Sequence, residues 1–367
     1  MKILFIGHYR EASGVGLAAR NYLLAMDKAG LDVVARPIKL GLAIDSIPER
    51  IKELEAKSSD GCDYCIQYVL PHHMVYDGRY KKCIGFFVYE SVTAKYHPWK
   101  KYISAMDEIW TCSENSYCAL KYELGSKVTK IVPHCFDFSK YETKAEKIKH
   151  PDIDGNFIFY NISDMCKRKN ISAIIQAFHL AFTPNMPVKL MLKLSKRGVN
   201  ENEFRDTILK SIESLKKDMR IYPNVSDYSS ELLITSFLPE EDINQIHATG
   251  DVYVSASHGE AWNIPAFEAL CFGNPIITEE QYDYNPVIGL SCDFHESTAV
   301  GVHDTFPGIY TSNETWVQVN PTEMAKKMRK IYEDYNTFKP TKENIDDLKL
   351  KYSLETVGKQ ILGLLET

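Results

Sequence analysis

Residues 251–278 read DVYVSASHGEAWNIPAFEALCFGNPIIT. The apolar run 251–255 predicts a strand. Asn263 and Pro265 mark a helix start, since Asn caps exposed amides and Pro suits the first turn. Gly273 and Pro275 mark the helix end. Glu260 then falls on the loop at the strand's carboxyl end, and Glu268 about one turn into the helix. The amides of Ala261, Trp262, Asn263 and Ile264 lie at the helix start, where anions bind. Carboxylates on either side accept hydrogen bonds from hydroxyls. An anion flanked by hydroxyl-rich groups is the chemistry of a nucleoside-diphosphate sugar.

Outward from this stretch, short apolar strands alternate with amphipathic helices. In the first half, strands are predicted at 2–7, 31–35, 65–70, 84–89, 108–112 and 128–132. Helices are predicted at 17–29, 47–57 and 115–124, and Gly14-Val15-Gly16 reads as a loop before the first of them. Residues 139–156 (SKYETKAEKIKHPDIDGN) break the pattern with charge, Pro151 and Gly155, and read as a domain linker. The alternation restarts with strands at 157–161, 188–194, 251–255 and 275–278. Its helices are 171–182, 201–217, one from about 265, 324–335 and 354–365. Such alternation predicts parallel sheets covered on both faces. The expected fold class is α/β, as two Rossmann-like, doubly wound domains facing across a cleft. The expected domains are 1–150 and 151–350, with 351–367 as a closing helix returning to the first. Ligands of open α/β sheets bind beyond the carboxyl ends of the strands.

The chain has 367 residues, 44% hydrophobic and 25% charged, which excludes disordered and fibrous classes. No apolar run reaches the roughly 18 residues of a spanning helix, and the start lacks a signal peptide's apolar core. Nine cysteines, odd in number and scattered, point to a reducing compartment, so a cytoplasmic location is expected. Cys62 and Cys65 form a lone CxxC without further zinc ligands at matching spacing, and read as structural. Residues 1–150 carry 22 Lys+Arg and 18 Asp+Glu, a balance of +4; the remainder carries 21 and 31, a balance of −10. No like-charged block suggests nucleic acid. The asymmetry points to an anionic acceptor meeting the first half, near Lys81-Lys82, Lys95 and Lys100-Lys101, and is compatible with peripheral membrane contact.

Lys167-Arg168-Lys169 follows the first strand of the second domain. A basic loop there is more than a solvated turn, because strand ends are where ligands bind. Glu90 ends an apolar strand and reads as facing a site rather than the core. GxGxxG is absent, which disfavours a nicotinamide site. His72, His73 and His258 read as satisfied structural histidines. Asp152-Ile153-Asp154 imitates a metal-binding DxD but lies in the linker, so no metal ligands are assigned.

Glu260 and Glu268 within SHGEAWNIPAFEALCFGNPII resemble the Glu-x7-Glu signature of family-4 retaining glycosyltransferases of GT-B fold. Further motifs follow in the family's order. Ser13-Gly14-Val15-Gly16 is similar to its first glycine-rich loop. Glu90-Ser91, Pro98-Trp99 and DEIWTCSENS resemble its acceptor-domain pattern. VPHCFD at 132–137 resembles "VPNGVD", and Phe159–Ser163 through Asn170 resembles the strand and basic loop that hold the donor phosphates. Ala261, Asn263 and Cys135 stand where the family usually has glycine, and Asp164 lies near the place of its usual arginine. Lys169, then Arg168, are therefore the cations carried over.

The resemblance implies transfer of a hexosyl group from a UDP- or GDP-sugar to an acceptor hydroxyl on a glycan, lipid or other molecule, with retention. It implies no cofactor and no metal. Glu260, Lys169, Arg168 and Glu90 are the catalytic candidates. Gly14, Val15, Gly16, Ser163, Ala261, Trp262, Asn263, Ile264 and Glu268 are the donor-binding candidates. Glu260 would reach the sugar and Glu268 the ribose. Two other classes remain open: a nucleotide-sugar epimerase or hydrolase of the same architecture, and a non-catalytic sugar-binding protein.

Overall fold

A computed structural model describes residues 1–39, 47–94, 98–124, 127–142, 145–196, 198–279, 283–284, 290–291, 294–298 and 314–367. Lys95 lies outside the described residues. The chain divides into two compact units, Met1–Lys140 with Asp346–Thr367, and Tyr141–Ile345.

Unit 1 is built on a six-stranded sheet: β1 (Lys2–Gly7), β2 (Asp32–Pro37), β3 (Tyr64–Tyr68), β4 (Lys82–Phe86), β5 (Glu108–Thr111) and β6 (Val128–Ile131). The order is β2-β1-β3-β4-β5-β6, and every pairing is parallel. This is the doubly wound order that reverses between β1 and β3, carried here to six strands. The helices are α1 (Gly14–Lys28), α2 (Glu49–Ala56), α3 (Lys100–Ile103) and α4 (Glu114–Leu124). A short helix, α5 (Ser139–Glu142), spans the division between the units within the expected linker.

One expectation is corrected at the start of α1. Gly14, Val15 and Gly16 form its first turn rather than a loop before it. Ser13 caps the helix, its Oγ accepting from the Gly16 amide at 3.2 Å, which satisfies one exposed donor. Gly16 is required there: a Cβ would lie 2.1 Å from the Glu11 carbonyl oxygen.

Unit 2 carries β7 (Phe157–Asp164), β8 (Val188–Ser195), β9 (Leu232–Ile234), β10 (Val252–Val254), β11 (Ile276–Thr278) and β12 (Leu290–Ser291). Their order is β12-β11-β10-β7-β8-β9, again all parallel. This is the six-stranded Rossmann order, reversing between β7 and β10. β13 (Phe294–Thr298) and β14 (Thr315–Val319) form a separate antiparallel pair. The helices are α6 (Ile171–Ala181), α7 (Glu201–Met219), α8 (Glu240–Thr249), α9 (Ile264–Cys271), α10 (Pro321–Glu333) and α11 (Tyr335–Phe338). Leu190, Leu192 and Leu194 of β8 bury against Ile174 and Phe178 of α6, Phe204 and Ile208 of α7, and Met324 and Met328 of α10.

α12 (Lys342–Tyr352) leads back, and α13 (Leu354–Glu366) packs in unit 1. Leu354, Val357, Ile361 and Leu365 form its buried stripe, the spacing of an amphipathic helix. Gly358 allows close approach to α1, since a Cβ would lie 2.1 Å from the Ala25 carbonyl oxygen. The Phe136 and Leu354 amides donate to the carbonyls of Tyr352 and Phe136, tying 136 to the chain between α12 and α13.

Candidate functional site

A buried charge cluster of unit 2 lies where its sheet order reverses. β7 ends at Asp164, and a single helical turn, Lys167–Lys169, follows. Asn170 then takes a left-handed conformation (φ 48°) and hands the chain to α6. Asn tolerates that region better than most residues, so the basic turn ends abruptly. The neighbouring loop after β10 carries Ser257 to Asn263. The His258 amide donates to the Arg168 carbonyl at 2.7 Å, which joins the two loops.

Glu260 is the centre of the cluster. Arg168 Nη1 lies 2.9 Å from its Oε2, and Lys169 Nζ donates to its Oε1. Ser257 Oγ donates to Oε1 at 2.6 Å. The Glu260 side chain is only 6% exposed. Burial alone would raise its carboxyl, but the Arg168 guanidinium, the Lys169 ammonium and the Ser257 hydroxyl outweigh it and hold the group at about 2. Glu260 is therefore ionised throughout the neutral range. Arg168 also donates to the Gly259 carbonyl at 2.7 Å, which fixes the guanidinium on the loop.

α9 begins at Ile264 with Pro265 in its first turn. Asn263 stands at the capping position, but it makes no side-chain cap; it is left-handed (φ 58°), and its Oδ1 accepts from Tyr253. A residue at a place where the resembled family has glycine thus keeps the glycine-like backbone. Ala261 and Trp262 are buried beside it. Tyr284 clasps this segment, donating to the Trp262 carbonyl at 2.7 Å and packing its ring, tilted by 44°, 5.2 Å from the Trp262 ring.

The other candidates lie in different settings. Glu268 is buried, with Oε2 3.6 Å from His247 Nε2 and Oε1 accepting from Tyr141 at 3.5 Å. Ser163 donates to Asn161 at 2.6 Å, and Asn161 braces β10 by donating to the Val254 carbonyl. Gly14 and Val15 are exposed on the first turn of α1, and Gly16 is buried. Glu90 is partly buried, beyond β4. His258 Nδ1 donates to the Val317 carbonyl (2.8 Å) and the ring stacks on Trp316; burial lowers its pKa, in keeping with a structural histidine. Burial pushes the Cys65 thiol up to about 12, and both Cys62 and Cys65 are free thiols. Among the described residues, no group of three or more His, Cys, Asp or Glu is placed to hold a metal, and no helix is long and apolar enough to cross a membrane.

Three residues escaped the sequence reading. Ser257 lies in the quoted motif, but its bond to Glu260 needs the loop's fold. Lys193 is a lone cation in the buried strand VKLMLKLS, a signal that was legible. His8 follows β1, at the reversal of the unit 1 sheet. It is 1% exposed. Its Nδ1 bonds the Ile38 carbonyl at 3.1 Å, and its Nε2 is buried without a partner among the described residues. Because a carbonyl only accepts, Nδ1 carries the proton and Nε2 presents a lone pair. Burial lowers the pKa of His8, which favours that neutral form.

No family profile and no curated protein matches the chain. Solved structures do. Sucrose-phosphate synthase from Thermosynechococcus elongatus aligns over 100% of this chain and 98% of its own, with a TM-score of 0.66 at 14% identity. The E. coli trehalose-6-phosphate protein solved with UDP-2-fluoro glucose aligns over 100% and 99%, with a TM-score of 0.65 at 10% identity. S. aureus TarM, solved with UDP and α-GlcNAc-glycerol, aligns over 83% of this chain and 55% of its own, at 0.55 and 14%. The chain has the GT-B fold that these proteins share.

Proposed function

We propose that this GT-B chain is a retaining, metal-independent glycosyltransferase. It moves a hexosyl group from a nucleoside-diphosphate sugar, UDP- or GDP-linked, to an acceptor hydroxyl. The observation that carries the reading is the pair Arg168 and Lys169, closed on Glu260 at the point where the unit 2 sheet reverses. Two fixed cations match the charge of a diphosphate, and the reversal is where open α/β sheets bind nucleotides.

In the proposed reaction, the bond from the sugar's anomeric carbon to the diphosphate oxygen breaks, and its electron pair stays on the leaving group. Arg168 and Lys169 stabilise the charge that develops there, the role a metal plays elsewhere. The acceptor oxygen bonds the anomeric carbon on the same face, and its proton passes to the departing phosphate oxygen. Glu260, released from the cations as the diphosphate takes its place, accepts hydrogen bonds from the sugar. Unit 1 takes the acceptor, at the end of its sheet where His8 follows β1 and Glu90 lies beyond β4. The fold of the solved structures supports the class; the substrates printed with them belong to those proteins.

A thermal-shift panel of nucleotide sugars tests the reading. A donor at 100 times its dissociation constant stabilises by about 2.7 kcal/mol. The product's anomeric configuration, read by NMR from a donor of known anomer, tests retention. Incubation with donor alone distinguishes the alternatives, since free sugar or an epimer would identify a hydrolase or epimerase.

A further inference from the structure

Lys193 is a further buried cation of unit 2. It lies near the carboxyl end of β8, with Ile162 of β7 and Ile234 of β9 as its strand partners. Its neighbours Leu192 and Leu194 enter the core on one face of the sheet, so alternation sends Lys193 to the other. It is 6% exposed. Among the described residues its ammonium makes no hydrogen bond or ion pair. Asp164 is near enough to act on it electrostatically, but its Oδ1 accepts from Ser195 at 2.9 Å. Burial pulls the lysine's pKa down. Burying a cation without a partner is costly, and such groups concentrate at functional sites.

The nearest aromatic is also unusual. Phe237, three residues beyond β9, is 51% exposed, although phenylalanine is ordinarily buried. Lys193 Nζ lies 5.7 Å from its ring centroid. Among the described residues no other ring stacks on Phe237. An open aromatic face beside a desolvated cation is suited to a flat, polar, heteroaromatic group.

Position narrows the ligand further. Arg168, Lys169 and Glu260 follow β7 and β10, whereas Lys193 and Phe237 belong to β8 and to the loop after β9. Strands about 4.8 Å apart put the end of β9 about 10 Å across the sheet from β7. That distance is of the order of the span from a diphosphate to its base. In this sheet order β7, β8 and β9 make one mononucleotide-binding half.

Resting on the proposed donor site, we infer that Lys193 and Phe237 form its base-reading end, and that Lys193 selects a base with a ring carbonyl. An ammonium has three donors and no acceptor. It pairs with the carbonyl oxygens of uracil or guanine. Adenine has no carbonyl; its ring nitrogens N1 and N7 accept, but each lies beside the exocyclic amine, a donor that meets the ammonium unfavourably. The donor is then a uridine or guanosine diphosphate sugar rather than an adenosine one.

The test is calorimetric titration of the full chain with UDP, GDP and ADP, repeated on Lys193→Met and Phe237→Ala. The wild type is expected to bind UDP or GDP about 10–150-fold tighter than ADP, the range for one charge-assisted hydrogen bond. Lys193→Met should bring the ratio within about threefold, without a fall in Tm, because Met fills the same volume and removes a buried charge. Phe237→Ala should weaken all three alike. ADP binding as tightly as UDP and GDP in the wild type overturns the inference and leaves the donor site standing. So does a base preference that survives Lys193→Met, or a Lys193→Met chain that unfolds, which makes the lysine structural. No binding of any nucleotide overturns the donor site itself, and this inference with it.

Discussion

Lys169 Nζ donates to the carboxylate of Glu260, 91 residues away in the chain, and Arg168 grips the same carboxylate from its other oxygen. The carboxylate therefore occupies the place that the functional reading assigns to a phosphate. Two cations on adjoining loops would repel without it. In the proposed function, a bound diphosphate would supply the negative charge and free Glu260 to turn to the sugar, so that one side chain would balance the cations and also serve catalysis.

Glu260→Gln tests this exchange. The variant keeps the shape but leaves Arg168 and Lys169 without their counter-charge. Its Tm without ligand should fall, and a nucleoside diphosphate should restore more Tm than it does in the wild type. Loss of a charge-assisted bond of about 1.5–3 kcal/mol, stronger in the transition state, should lower kcat about 10–150-fold. Steady-state kinetics with melting curves checks both. Weaker nucleoside diphosphate binding with unchanged kcat would contradict the exchange.

The same carboxylate predicts acid sensitivity. Its ordinary value is 4.5 and the fold holds it at about 2. A depressed carboxyl contributes its full stability above the unfolded value and loses it as pH falls toward the folded one. Tm should therefore drop between about pH 4.5 and about pH 2, and less steeply in Glu260→Gln. Parallel slopes for the two proteins would show that other groups control acid unfolding.

Positive charge at the leaving group comes from side chains in this reading. Activity should accordingly survive EDTA, whereas Lys169→Met should lower kcat by about 100-fold or more, as loss of one stabilising donor does elsewhere. Activity abolished by EDTA and restored by Mn²⁺ or Mg²⁺ would move the phosphate site away from Arg168 and Lys169.

The α/β alternation and the Glu260 loop were legible because hydrophobic runs and Asn, Pro and Gly punctuation are local signals. β9 was not: Leu232, Leu233 and Ile234 are only half-buried and the strand is three residues long. The sheet orders were also hidden. The unit 1 order depends on which strands pair with β1, and parallel pairing is a long-range property. α1 was read as starting late, since its two glycines suggest a loop until the Ser13 cap is seen. The grouping of Arg168, Lys169 and Glu260 followed from motif order, but Ser257 and the burial of Lys193 required the folded loops.

Glu268 separates the reading of a motif from that of a structure. Its resemblance implies a ribose contact, yet its oxygens face His247 and Tyr141. That imidazole is held in turn: Tyr160 bonds His247 Nδ1 at 2.9 Å, Asn274 donates to the His247 carbonyl at 2.7 Å, and Phe272 stacks on the ring at 5.2 Å. Such a network stabilises α8 against α9 and the sheet. Glu268→Gln keeps the volume but removes the charge beside the imidazole. The expected cost is about 1–3 kcal/mol for a disturbed buried polar group, or roughly 2–4 °C of Tm per kcal/mol in a domain of this size. A ribose contact would instead raise the donor KM and weaken nucleoside diphosphate binding at unchanged Tm. The geometry favours the loss of Tm. Melting curves and nucleotide titration of Glu268→Gln decide the matter, and an unchanged Tm with weakened nucleotide binding would return Glu268 to the donor site.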